Sequence, residues 1–209
     1  MCNLYDIGTG AGHETETLQG MIVEALAQLE KSMGIRKTDT GVVALKVDGE
    51  LVGQTMRWGF DRHVNPCINN ARSEKLGGQM WNKSWREKRR CLIPIETFYE
   101  WSGPKGQKQT HAFQSDDRQL LWAGGLWEES PKLGFCYTML TRAATGVIEP
   151  IHERMPAILD PPAAEEFLDA DDPLDIIAAE GPNMRTFPCL NPLKTNRFAE
   201  PAEVQTDLF

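Results

Sequence analysis

Asp48-Gly49 constrains this chain more than any other pair of residues. An Asp-Gly step accepts the left-handed angles of a two-residue hairpin turn. Here it separates two apolar, β-branched runs, Val42 to Val47 and Leu51 to Arg57. Such a hairpin forces at least part of the sheet to be antiparallel. Cys91 to Trp101 reads as a further strand with Pro94 at a bend or edge. Leu120 to Trp127, Phe135 to Thr141, a short buried Ala157 to Leu159, and Met184 to Pro188 follow. Leu18, Met21, Ile22, Ala25, Leu26, Leu29 and Met33 recur at helical spacing before the stop at Gly34. Asp160-Pro161 and Asp172-Pro173 each open a helix, and Gly181-Pro182 ends the second. Hairpins outnumber strand–helix–strand crossovers. The expectation is an α+β single domain, 1–198, on a largely antiparallel, barrel-like sheet with flanking helices. A polar tail, 199–209, lies outside it.

Composition removes several classes. The 209 residues carry a net charge of −8 and no apolar run long enough to span a bilayer. No basic segment followed by an apolar stretch opens the chain, so no signal peptide is expected. Five cysteines without a Cys-x-x-Cys pair suggest neither a disulfide framework nor a metal site, and a reducing cytoplasm fits. The charge is uneven. Arg72, Lys75, Lys83, Arg86, Lys88, Arg89 and Arg90 face only Glu74 and Glu87, whereas 160–175 is acidic. A basic patch on an acidic protein is compatible with nucleic acid, although such runs are commonly solvated faces.

Cys2 is the chemically distinctive residue. With Met1 removed, it carries an α-amine and a thiol on neighbouring carbons, titrating near ~8 and ~8.5. Such a 1,2-aminothiol condenses with an aldehyde to an imine and then closes a thiazolidine ring. Three other segments hold polar residues a plain core would not need. They are Asn69-Asn70-Ala71-Arg72-Ser73-Glu74, Arg89-Arg90-Cys91-Leu92-Ile93-Pro94 running to Phe98-Tyr99-Glu100-Trp101, and His152-Glu153-Arg154-Met155-Pro156.

These four segments, in this order, resemble the SOS-response-associated peptidase (SRAP) family, with Met-Cys, Asn-Ala-Arg-x-Glu, Arg-Arg-Cys-x-x-Pro…Phe-Tyr-Glu-Trp and His-x-Arg-Met-Pro. Trp58-Gly59 and Leu140-Thr141 resemble further family steps. Asn3 and Phe60 depart from it, standing where Gly and an aliphatic residue are common. The resemblance implies a cytoplasmic, nucleoid-associated protein of the DNA damage response that needs no cofactor. Its partner would be single-stranded DNA containing abasic sites. Cys2 would form a covalent thiazolidine crosslink there, and the peptidase assignment would concern exposure of Cys2.

On that reading Cys2 supplies both nucleophiles, Glu100 shuttles protons, His152 opens the sugar to its aldehyde, and Asn70 holds the amine or a sugar hydroxyl. Arg72 and Arg154 are phosphate clamps. Trp58, Phe60, Thr141, Arg89 and Arg90 complete the expected DNA surface. Two rivals exist. An N-terminal nucleophile amidohydrolase also begins with a catalytic Cys2, but gives no role to Tyr99-Glu100-Trp101 or His152 to Pro156. A non-catalytic module could stack bases on Trp58, Trp81, Trp85 and Phe98. Finally, Gln205-Thr206-Asp207-Leu208-Phe209 resembles the Gln-x-x-Leu-Phe pentapeptide that docks in a bacterial sliding clamp. His13, His63 and His111 are read as structural.

Overall fold

The computed structural model describes residues 2–8, 17–62 and 65–194. β1 (Leu4–Asp6) is followed by helix α1 (Thr17–Leu26) and β2 (Ile35–Arg36). The expected hairpin is β3 (Thr40–Val47) and β4 (Glu50–Trp58), with Val47 opposite Glu50. Asp48 and Gly49 have φ of 52° and 85°, the paired left-handed angles of a type I′ turn. Short strands β5 (Phe60–Arg62), β6 (Asn65–Ile68) and β7 (Asn70–Arg72) lead through α2 (Asn82–Arg86) to β8 (Arg90–Ile95) and β9 (Thr97–Ser102). Next come β10 (Gln109–Ser115), β11 (Leu121–Ser130) and β12 (Gly134–Ala143). β13 (Arg154–Pro156), β14 (Ile158–Leu159), α3 (Pro161–Asp169), α4 (Leu174–Ala178) and β15 (Met184–Cys189) complete the order.

Five strands close on themselves in the order β12, β4, β3, β8, β11 and back to β12. Within that ring β12–β4 alone is parallel. The barrel-like antiparallel sheet is therefore present. β7 and β13 both pair with β12, and β14 with β11. A second, wholly antiparallel sheet runs β15-β10-β9-β1-β2.

The core lies inside the barrel and between it and the second sheet. Trp58 and Tyr137 stack at 6.3 Å, and Tyr5 of the second sheet meets Trp58 edge-on at 5.0 Å. The Tyr5 and Tyr137 hydroxyls hydrogen-bond to each other, which satisfies two polar groups that would otherwise be stranded. Gly41 has no Cβ where those hydroxyls pack. Gly124 of β11 likewise leaves room for Phe167 of α3, so the helix lies flat on the barrel.

Two elements differ from expectation. α1 ends at Leu26 instead of running to Met33, which is exposed. Past the helix, the Ser32 carbonyl accepts the Ile7 N–H at 2.7 Å, and the Gly34 N–H donates to Asp6 Oδ1 at 2.5 Å. Tertiary hydrogen bonds to β1 capture the segment that helical spacing would have extended. The predicted strand Cys91 to Trp101 is two strands in two sheets. It turns the corner at Glu96, whose N–H donates to the Asp6 carbonyl at 2.8 Å.

Candidate active site between the two sheets

Cys2 lies just ahead of β1 and is fully buried. Its carbonyl accepts hydrogen bonds from Asn70 Nδ2 at 2.8 Å and Asn69 Nδ2 at 3.4 Å. Asn70 opens β7, whose parallel register on β12 places it opposite Met139. A barrel amide thus grips the start of the second sheet. Asn70 Oδ1 is buried and accepts no hydrogen bond among the described residues, so the site retains an acceptor for a hydroxyl or amine. The Cys2 Sγ donates to the Leu4 carbonyl at 3.5 Å. Burial first, and the Glu100 charge second, push the thiol far above its ordinary pKa, so it stays protonated at rest.

Glu100 is in the middle of β9 and 2% exposed. Burial raises its carboxyl pKa, and the charge of His152 pulls against that rise. His152 Nε2 stands 4.0 Å from Glu100 Oε2. The other ring nitrogen, Nδ1, accepts the Arg154 N–H at 2.9 Å. Nδ1 also lies 3.1 Å from the Arg154 carbonyl, so the backbone of one residue holds the ring and turns its Nε2 edge toward Glu100. The structure brings Cys2, Asn70, Glu100 and His152 to one place, with Cys2 and Glu100 from the second sheet and Asn70 and His152 from the barrel.

The arginines divide. Arg72 ends β7 and is exposed. Arg154 is 8% exposed, and its fork is engaged by Glu74 at 2.9 and 3.0 Å while Nη2 also donates to the Thr141 carbonyl at 2.6 Å. Burial alone would raise the Glu74 carboxyl. Hydrogen bonds from its own backbone N–H and from Arg154 hold it below the ordinary value. A phosphate can reach Arg154 only by exchanging with Glu74. In this structure Arg154 therefore braces the strand that orients His152.

Several expected DNA contacts have other surroundings. Arg90 is 3% exposed, is stacked on Trp85, and donates to the Phe167 and Ala170 carbonyls at 3.0 and 2.6 Å. It satisfies the carbonyl end of α3 and has no free fork for a phosphate. Trp58, Phe60 and Thr141 are fully buried, and Trp58 Nε1 donates to the Asn69 carbonyl at 2.8 Å. They support the asparagine segment from behind and offer no ring face to a base. Trp81 and Phe98 are buried too, so with Trp58 three of the four proposed stacking rings are removed and Trp85 is left half-buried. Arg89 is partly exposed over Trp127 and paired with Glu87. Glu74 was overlooked as a site residue, although the Asn-Ala-Arg-x-Glu spacing contained it. Gln205, Leu208 and Phe209 lie outside the described residues, as do His13 and His63. Among the described residues no three His, Cys, Asp or Glu side chains group as metal ligands would, and no helix is long and apolar enough to cross a membrane.

The chain is 31% identical over 131 residues to the abasic site processing protein YobE of Bacillus subtilis, covering 54% of this chain and 57% of that one. It is 30% identical over 154 residues to the abasic site processing protein HMCES of Gallus gallus, covering 57% and 46%. The chain thus spans about half the length of these curated relatives. A crystal structure of a protein from Bordetella bronchiseptica superposes with a TM-score of 0.72 at 21% identity, covering 91% of this chain and all of that one. That likeness establishes the fold. The family model described as SOS response associated peptidase (SRAP) matches residues 1–187. With nearly the whole described domain inside that match, the chain belongs to the SRAP family.

Proposed function

We propose that this protein captures abasic sites in single-stranded DNA as a covalent thiazolidine through Cys2, after loss of Met1, and so shields the lesion. One observation carries the reading: Cys2 is held by Asn70 beside a buried Glu100 that faces the Nε2 edge of His152. Two relatives are abasic site processing proteins, which supports the substrate.

The chemistry follows from the protonation states. His152 in its imidazolium form gives the Nε2 proton to the ring oxygen of the abasic sugar, and the same nitrogen takes up the proton the anomeric hydroxyl loses as the sugar opens to an aldehyde. The Cys2 amine adds to that carbonyl carbon. Glu100, whose raised pKa keeps a proton available, protonates the carbinolamine hydroxyl, which leaves as water. The carboxylate that remains stabilises the iminium. The Cys2 sulfur then adds to the iminium carbon, its proton passes to the Glu100 carboxylate, and the ring nitrogen is left as a neutral secondary amine. The net change is loss of one water, with no redox step. A buried, protonated thiol suits this order, because the amine attacks first and the thiol is needed only to close the ring.

Abasic single-stranded oligonucleotide mixed with the protein should give a denaturant-stable shifted band, with the intact mass showing Met1 absent. Cys2→Ala and an N-terminally extended protein should give none. A Cys2→Ala protein that crosslinks at the wild-type rate would sink the mechanism. Glutamine hydrolysis with ammonia release would instead favour the amidohydrolase reading. We further propose that Gln205, Leu208 and Phe209 dock in a bacterial sliding clamp. Deleting Leu208 and Phe209 should abolish clamp binding and spare crosslinking. Equal clamp binding by both proteins would end that idea.

A further inference from the structure

The β9–β10 hairpin runs outward from Glu100. β10 returns with His111 opposite Glu100 and Gln109 opposite Ser102. Directly opposed residues of an antiparallel pair point to the same face, so all four share the Glu100 face. His111 Nε2 and Ser102 Oγ are joined at 2.8 Å, which ties the stem of the hairpin. Its tip is exposed and turns at Gly103 and Gly106, with φ of 86° and 92°.

The charge of this hairpin is inverted relative to the protein. From Trp101 to Ser115 there is no Asp or Glu, whereas Lys105, Lys108 and His111 are present, on a chain of net charge −8. Both lysines are exposed, and neither joins an ion pair among the described residues. The charge of Lys108 reaches Glu100, where it opposes the effect of burial on the carboxyl. A cation that close to the site acts on whatever strand passes it.

We propose that the β9–β10 hairpin binds the sugar-phosphate backbone of the strand leaving the lesion, with Lys105 and Lys108 each meeting one phosphate. This deepens the single-stranded DNA reading and rests on it. Arg72 belongs to the barrel and the hairpin to the second sheet, so the two cationic patches serve opposite arms of one strand. Phosphate contacts of this kind fix register without reading sequence.

The test is the salt dependence of binding for the wild type and for the double variant Lys105→Ala/Lys108→Ala. Undamaged strands and abasic strands with the lesion central, near the 5′ end or near the 3′ end are compared. Two lost contacts should lower the log–log salt slope by about 1.4, at roughly 0.7 per single-strand phosphate. The loss should vanish on whichever end-lesion strand lacks the arm that meets the hairpin. Lys105→Arg/Lys108→Arg should restore the slope, and crosslinking at saturating protein should be unchanged. A slope unaltered on every strand overturns the proposal, as does an equal loss on both end-lesion strands. Wild-type protein that binds strands with the hairpin-dependent slope but leaves no covalent product refutes the crosslinking chemistry and upholds the hairpin. Wild-type protein that binds no strand removes both.

Discussion

The barrel and the second sheet contribute equally to the site and unequally to the fold. The barrel is closed, with β11 and β12 of ten residues each, and it buries Trp58, Tyr137, Leu92, Ile93 and Leu140 completely. It supplies Asn70 and His152, both anchored by neighbouring backbone or brace. The second sheet is open and ends in β2, of two residues. It supplies Cys2 and Glu100, one a buried thiol and the other a buried carboxylate. Groups that are costly to bury are thus carried by the less extensive sheet, against a barrel that can tolerate the cost.

That contrast can be broken from either side. Trp58→Ala attacks the barrel. It deletes a ring packed on Tyr5 and Tyr137, and should lower unfolding free energy by about 3–5 kcal/mol while abolishing capture through loss of structure. Chemical denaturation measures it, and a loss under about 1 kcal/mol would mean the ring is not central to packing. Glu100→Gln attacks the second sheet and should do the opposite to stability. Folded Glu100 holds its proton to a higher pH than the ordinary carboxylate, near 4.5. The folded state therefore binds the extra proton, and wild-type stability falls as pH rises from about that value through the raised one. The Gln variant escapes this loss. It should match wild type at acid pH and exceed it at neutral pH, while capture slows by about 10²–10⁴-fold. A variant less stable than wild type at pH 7 would show that the buried charge is fully compensated.

His152→Gln should slow sugar opening. The barrel should hold its melting temperature nearly constant, because one imidazole edge is lost and no packed ring. A pre-opened aldehyde surrogate should restore most of the rate. If it does not, His152 acts after ring opening. The smallest expected effect is that of Arg72→Ala, a flattening of the salt slope by about 0.7 with little change in saturated rate. An unchanged slope would leave the barrel side without its phosphate contact.

The sequence was most informative where chemistry is local. Asp48-Gly49 specified its turn, and the four polar segments named the residues that meet around Cys2. It was least informative where one side chain's surroundings depend on distant chain. Nothing in Arg89-Arg90 separates the arginine that closes α3 from its neighbour, because Phe167 and Ala170 lie far along the chain. The corner at Glu96 was also hidden. β-propensity runs unbroken from Cys91 to Trp101, and only the hydrogen bond to Asp6 shows where one sheet yields to the other. α1 misled for the same reason, since its apolar spacing continues beyond the point where β1 takes over the hydrogen bonds.

The burial of Cys2 sets an order of events during synthesis. β2 can pair with β1 early, but Tyr5 also pairs with Phe98, so β1 gains its β9 partner only after some hundred residues have been made, on the order of 5–20 s at ordinary elongation rates. Until then the N-terminus is open to a processing enzyme. Once Asn70 grips the Cys2 carbonyl and β9 pairs with β1, Cys2 is buried with Glu100 and His152 in the same site. Chain refolded from Met1-bearing material and followed by mass would show whether these two groups can finish the task themselves, or whether a late chain stays blocked for its lifetime.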